Sequence, residues 1–191
     1  MASLYAVIFF IGAVVLILES LGSILLSPYF GTSVTTWSAL ITTTLAALAV
    51  GAAFGGWLAD REKPRSSLSW LFVGAALWLF AVLPVREFLL PAITGLGLRA
   101  GALAGASLLL FVPLAALGAA TPLVVRLVVT AAGETGRVYG VVSAVSTLGG
   151  CVGALGSGFW LLPYWTVGAV LGGTAVLLIV SAAIVRWAVP A

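Results

Sequence analysis

The chain has 191 residues, of which 63% are hydrophobic and only 7% are charged. A soluble domain carries roughly 25% charged residues, so this chain has too little polar surface for a water-soluble globule of its size. The mean hydropathy of +1.29 instead predicts an all-α integral membrane protein. We expect residues 1–191 to form a single transmembrane domain, without a linker or a second domain.

The sequence contains no His and one Cys, Cys151. A disulfide within the chain is therefore excluded, and so are zinc or haem sites built on histidine. We expect no metal and no cofactor, and we expect the thiol to pack as a small hydrophobic group. The basic residues lie at the ends of apolar stretches and form no nucleic-acid patch.

Six apolar stretches predict membrane-spanning helices, each of which needs about 20 residues. The predicted helices cover residues 4–26, 34–59, 68–83, 100–125, 138–162 and 167–184. The first stretch is too long for a signal peptide, has no basic start and contains Glu19, so we interpret it as a retained helix. Residues 27–31 predict a turn, and the glycine-rich residues 91–101 predict a re-entrant or interfacial segment.

The distribution of basic residues predicts the orientation in the membrane. With a cytoplasmic N-terminus, six basic residues fall inside and two fall outside, which agrees with the positive-inside rule. The inside residues are Arg61, Lys63, Arg65, Arg126, Arg137 and Arg186, and the outside residues are Arg86 and Arg99. We therefore expect a multi-pass protein of the inner (plasma) membrane with both termini in the cytoplasm.

Small residues recur four positions apart, which brings helix backbones close together. The pairs are Gly51 with Gly55, Gly101 with Gly105, Gly149 with Gly153, and Gly168 with Gly172. This spacing predicts a tightly packed bundle, and it is also compatible with a dimer interface.

Glu19 is the residue of greatest functional interest, because a carboxylate inside a membrane helix costs about 2.5–3.5 kcal/mol or more and usually faces the bundle interior. Ser23 shares its helix face, and the Thr-rich second helix contributes Thr36 and Thr43. These four residues form a candidate intramembrane polar site for a cation or a proton. The alternatives are a Glu19 carboxyl that only locks helix packing, and threonine hydroxyls that bond to their own helix.

Two further features concern the cytoplasmic side. Asp60 ends the second span, and we predict that it forms an ion-pair latch with Arg126 or Arg137. Pro113 and Pro122 interrupt the fourth span and free backbone carbonyls, as in helices that line cavities.

The segment from Gly55 to Arg65 resembles the loop between the second and third helices of the major facilitator superfamily, although Pro64 stands where a Gly is usual. A larger part of the chain resembles the membrane domain fused to bacterial spermidine-synthase-like proteins. The residues that carry this second resemblance run in order from Glu19-Ser20-Leu21-Gly22 through Ser27–Ser33, Trp37, Gly51, Gly55-Gly56, Asp60, Gly118, Thr121-Pro122, Arg126, Gly136, Tyr139-Gly140, Thr147, Gly149, Gly153 and Gly158-Phe159 to Pro163.

These resemblances imply a bundle like half of a facilitator, and they imply the membrane module only. The synthase domain of the fused proteins has no counterpart in residues 1–191, so we expect no enzyme activity from this chain alone. We expect the module to host or transport a small cationic species, or to dock a synthase-like partner. It would act in the lipid bilayer as a homodimer or as a subunit of a larger complex.

Two alternatives stay open. One is a non-catalytic scaffold or accessory subunit of a larger membrane assembly, for example an electron-transfer complex. The other is a membrane subunit that completes an active site with a separate soluble chain.

Overall fold

A computed structural model describes residues 2–61, 63–129 and 134–188, and every element within these ranges is helical. The longer helices are α1 (Ala2–Phe30), α2 (Val34–Ala59), α3 (Pro64–Ile93), α4 (Gly97–Gly118), α5 (Ala120–Val128), α6 (Thr135–Gly156) and α8 (Val167–Ala188). A 3₁₀ turn (Thr94–Leu96) joins α3 to α4, and a π-helical turn (Ser157–Leu161) joins α6 to the short helix α7 (Leu162–Tyr164).

The described residues contain five helical stretches that are long and apolar enough to cross a membrane. One of them, Pro64–Val128, is 65 residues long and folds back on itself at the 3₁₀ turn. Trp78 of α3 donates to the carbonyl of Leu108 in α4 over 3.3 Å, so the two helices pack side by side. This architecture is compatible with a helical membrane bundle, as the composition predicts.

Two predicted connections differ in detail from the structure. The turn predicted at residues 27–31 begins only at Gly31, which has a φ of 71°, because α1 continues through Pro28 to Phe30. The segment predicted at 91–101 as re-entrant or interfacial is a tight reversal between α3 and α4, which excludes the re-entrant form and leaves the interfacial position a prediction. It depends on Gly97, whose φ of 80° is accessible to glycine at little cost.

Three helix pairs dominate the packing. Gly149 of α6 packs on Phe9 and Gly153 packs on Ala13, so α1 and α6 run parallel. Gly51 and Gly55 of α2 pack in the same way on α4, which gives a second parallel pair.

The third pair, α3 and α8, is antiparallel. Arg65 donates through Nε to the carbonyl of Val185 over 3.1 Å, and Ser69 donates to the carbonyl of Ala182 over 3.3 Å. The directions of these three pairs determine which helix ends lie together at each end of the bundle. The start of α1, the α2–α3 and α5–α6 connections and the end of α8 lie at one end of the bundle.

The predicted close approach at glycines is confirmed for three spans. An added methyl group would meet backbone atoms at Gly51, Gly55, Gly149 and Gly153, and the Phe30 ring at Gly101. The predicted close approach is wrong for the last span, since a methyl group added at Gly172 would meet nothing within 4 Å.

Candidate functional site

The crossing of α1 with α6 has the same residue spacing as the crossing of α4 with α2. Each crossing has three places where a glycine lies directly against the backbone of the other helix. In the first crossing these are Gly12 on Ser146, Gly149 on Phe9 and Gly153 on Ala13. In the second they are Gly118 on Leu48, Gly51 on Ala115 and Gly55 on Ala119.

Two constant differences in residue number, or shifts, relate the two crossings. Each α1 residue corresponds to the α4 residue 106 positions later, as Gly12 does to Gly118. Each α2 residue corresponds to the α6 residue 98 positions later, as Gly51 does to Gly149 and Gly55 to Gly153. The same shifts take every backbone partner in the first half to its counterpart in the second. The agreement of all three contacts indicates that α1 packs on α6 as α4 packs on α2, so the two crossings between the halves of the chain are equivalent.

The two halves are inverted with respect to each other. Helices α1 and α4 are antiparallel, since Gly22 packs against Leu110 while Phe30 packs against Gly101. A two-fold axis perpendicular to the helices therefore exchanges α1 with α4 and α2 with α6. Inverted repeats of this kind recur in transporter folds, where ligand sites lie at the repeat interface.

A cavity of about 780 Å³ lies between α1, α2, α4, α5 and α6. Its lining residues are Ile11, Gly12, Val15, Leu16, Leu48, Ala52, Leu117, Gly118, Thr121, Pro122, Tyr139, Ser143, Ser146, Thr147, Gly150, Cys151 and Ala154. The two shifts convert all four lining residues of α1 into the four of α4 and α5, and both lining residues of α2 into lining residues of α6. The cavity therefore spans the axis of the inverted repeat and extends further along α6, whose five other lining residues have no lining counterpart in α2.

Pro122 opens one wall of this cavity. It has no N–H to donate to the carbonyl of Gly118, four residues earlier. Helix α4 ends at Gly118 and α5 begins at Ala120, so the helix is interrupted where the cavity passes it. The predicted interruption is confirmed at Pro122, whereas Pro113 lies buried within an unbroken α4.

Glu19 lies on the α1 face that carries Gly12 and Leu16, one turn beyond the cavity, and it is half-buried. Ser23 follows one turn later and is also half-buried. Within the described part of the chain, the Glu19 carboxylate forms no hydrogen bond. The predicted partners bind elsewhere: the Thr36 hydroxyl donates to the carbonyl of Phe30 over 3.2 Å, and Thr43 lies 3.4 Å from the Ser107 hydroxyl.

The structure thus does not join Glu19, Ser23, Thr36 and Thr43 in one hydrogen-bonded cluster. Thr36 fixes the α1–α2 turn, and Thr43 ties α2 to α4. A cation or proton role for Glu19 stays a prediction.

The residues of the predicted latch share one end of the bundle and are all exposed. Among the described residues, no pair within 4.0 Å joins Asp60 to Arg126 or Arg137, and the ion pair present is Arg86–Glu87 at 4.0 Å. Arg61, next to Asp60, lies with its guanidinium carbon 3.7 Å from the centre of the Trp57 ring. The latch is thus not formed as a direct contact in this conformation.

Sequence reasoning missed most of the cavity wall. Ser143, Ser146, Thr147 and Gly150 recur at helical spacing on one face of α6, and that periodicity is the signal that could have revealed them. Cys151 is exposed on the same wall, so the expectation of a packed thiol is wrong.

Comparisons with protein-family models, with curated proteins and with solved structures gave no match.

Proposed function

We propose that this chain is a six-span membrane module, similar to half of a facilitator, that binds a small molecule in its central cavity for transport. The observation that carries the proposal is the position of the cavity on the axis of an inverted repeat. Secondary transporters place their substrate sites at such interfaces. The chain from α3 to α5 supplies two of the six spans, because it reverses at Gly97.

The resemblance to the spermidine-synthase-associated membrane domain supports the same proposal. Several residues that carry the resemblance have structural roles at the two crossings or in the cavity wall. Gly51, Gly118, Gly149 and Gly153 bring the helices together, and Thr121-Pro122 lies in the wall. We propose that the likeness reflects a shared cavity rather than a shared enzyme activity.

The module needs a partner, because the cavity is open between α2 and α6. The outward faces of these helices carry exposed small residues that the shift of 98 residues relates to each other. The pairs are Thr42 with Gly140 and Ala46 with Ala144. We propose that a second copy covers both faces; the same exposed faces support the second candidate function, a scaffold for other membrane chains.

The accessibility of Cys151 tests the transport proposal. The native thiol lines the cavity, so in a water-filled binding site it should react with a membrane-impermeant methanethiosulfonate reagent. Only the thiolate reacts quickly, and a thiol facing lipid is not ionised. We expect rapid modification of Cys151 in inverted vesicles that contain the wild-type chain.

The matched control moves the thiol to the outer surface of α3, in a Cys151→Ala, Leu77→Cys variant. Leu77 is 62% exposed and lies outside the cavity, so this thiol should stay unmodified. Equal reactivity of the two thiols, or an inert Cys151, contradicts a transport cavity and leaves the scaffold function.

A further inference from the structure

We propose that the cavity accepts an uncharged amphipathic molecule, apolar along one side and hydrogen-bonding along the other. The inference rests on the proposed function, since it takes the cavity to be the binding site, and it names the class of ligand. It replaces the cationic species that the sequence alone suggests.

The first half of the chain supplies an apolar wall. Its side chains are those of Ile11, Val15, Leu16, Leu48 and Ala52. None of them offers a hydrogen-bonding group, so a polar ligand surface against this wall would lose its contacts with water without replacement. Burial of an unpaired polar group costs about 1–3 kcal/mol in proteins, and this wall therefore selects an apolar ligand surface.

The second half supplies a polar wall at the equivalent positions. The repeat places Thr121 at the position of Val15 and Ser146 at the position of Leu48. Tyr139, Ser143 and Thr147 add three more hydroxyls to the same wall. The inverted repeat thus has equivalent backbone positions with different side-chain chemistry on its two sides.

Several of these hydroxyls are available to a ligand. Thr147 donates to the carbonyl of Ser143 over 2.9 Å. The hydroxyls of Thr121, Ser143 and Ser146, in contrast, make no hydrogen bond to another described residue. Each can both donate and accept, and the Gly118 carbonyl freed by Pro122 adds an acceptor.

Charge decides between an uncharged ligand and a cation. Among the described residues that line the cavity, none is Asp, Glu, Lys or Arg, and Glu19 lies one turn beyond them. A charge in this cavity would be removed from water without an opposite charge beside it, which is strongly unfavourable. The volume of about 780 Å³ falls within the roughly 300–1,000 Å³ of ordinary small-molecule sites.

Three probes of one shape and different charge test the inference. They are 4-phenylbutan-1-ol, 4-phenylbutylammonium and 4-phenylbutanoate, each added to the wild-type chain in lipid nanodiscs. The readout is the rate at which N-ethylmaleimide alkylates Cys151, since a bound molecule shields this thiol. We expect the alcohol to slow alkylation at a concentration at least about tenfold below that needed for either ion, a difference of one strong polar interaction.

Variants locate the effect on the polar wall. Ser143→Ala combined with Ser146→Ala should weaken the protection by the alcohol about tenfold, through the loss of two hydroxyl hydrogen bonds. Thr32→Ala removes an exposed hydroxyl from the α1–α2 turn, outside both the cavity lining and the proposed dimer face, and should change nothing. A Cys151→Ala, Thr32→Cys chain carries its thiol in the exposed α1–α2 turn, outside the cavity, and its alkylation should be unaffected by every probe.

The possible outcomes separate the two proposals. Stronger protection by the ammonium probe overturns the ligand class and leaves the cavity as a binding site for cations. Equal protection by all three probes, or unchanged protection after loss of both serine hydroxyls, also overturns the ligand class. Absence of protection by every probe contradicts this inference, while the solvent accessibility of Cys151 still decides the proposed function.

Discussion

At the scale of single residues, the architecture depends on glycines at helix crossings. The space that a side chain would occupy at each of them is filled by backbone atoms of the neighbouring helix. Gly149 is the clearest case, because a methyl group built there would overlap the carbonyl of Phe9. Backbone atoms cannot rotate away as a side chain does, so any substitution must push α1 and α6 apart. Gly156, on the same helix, has nothing within 4 Å of the added methyl.

We therefore expect opposite effects from two alanine substitutions in α6. Gly149→Ala should destabilise the folded chain by about 1–3 kcal/mol, as overpacking does in other cores. Gly156→Ala should be neutral or stabilise it by up to about 1 kcal/mol, since alanine favours helix. Unfolding of both variants in mixed detergent micelles measures the difference, and equal stabilities would refute the close backbone contact.

At the scale of helices, composition and hydropathy predict much of the fold. The predicted second helix, 34–59, matches α2 at both ends. The third apolar stretch predicts a helix over 68–83, or as far as Leu90 past Pro84 and Arg86, whereas α3 extends to Ile93. Arg86 lies within α3 at 20% side-chain exposure, 4.0 Å from the Glu87 carboxylate.

The site was harder to predict than the helices. The sequence identifies Glu19 as a candidate because carboxylates are rare in membrane spans. It does not indicate which side chains lie beside Glu19 in the folded chain. The cavity arises where α1 and α2 of the first half meet α4, α5 and α6 of the second half, about 100 positions later in the chain. The correspondence of Gly12 with Gly118 becomes visible only through the contacts they make, since Phe9 and Ala115 at matching positions have little in common.

The break between α4 and α5 gives a prediction at this scale. Pro122→Ala restores a donor for the Gly118 carbonyl, so α4 and α5 should join into one straighter helix and narrow the cavity. We expect slower modification of Cys151 by the impermeant thiol reagent. Pro113→Ala is the control, since Pro113 is buried outside the cavity lining and should leave the rate unchanged; similar rates for both variants would exclude Pro122 as the cause of the opening.

At the scale of the whole molecule, the inverted repeat leaves the two ends of the bundle equivalent in backbone but not in charge. Six basic residues lie at the end that holds the α2–α3 connection: Arg61, Lys63, Arg65, Arg126, Arg137 and Arg186. Only Arg86 and Arg99 lie towards the other end. A symmetrical backbone can insert either way, so the charges have to select the orientation.

This asymmetry predicts which side each connection faces. Asp60 at the basic end and Thr32 in the α1–α2 turn at the opposite end are both exposed. In a Cys151→Ala background, Thr32→Cys should react with an impermeant maleimide in intact cells. Asp60→Cys should react only after lysis, because basic connections stay in the cytoplasm. The reverse pattern would place the basic end outside, and labelling of both in intact cells would show mixed insertion of the two equivalent orientations.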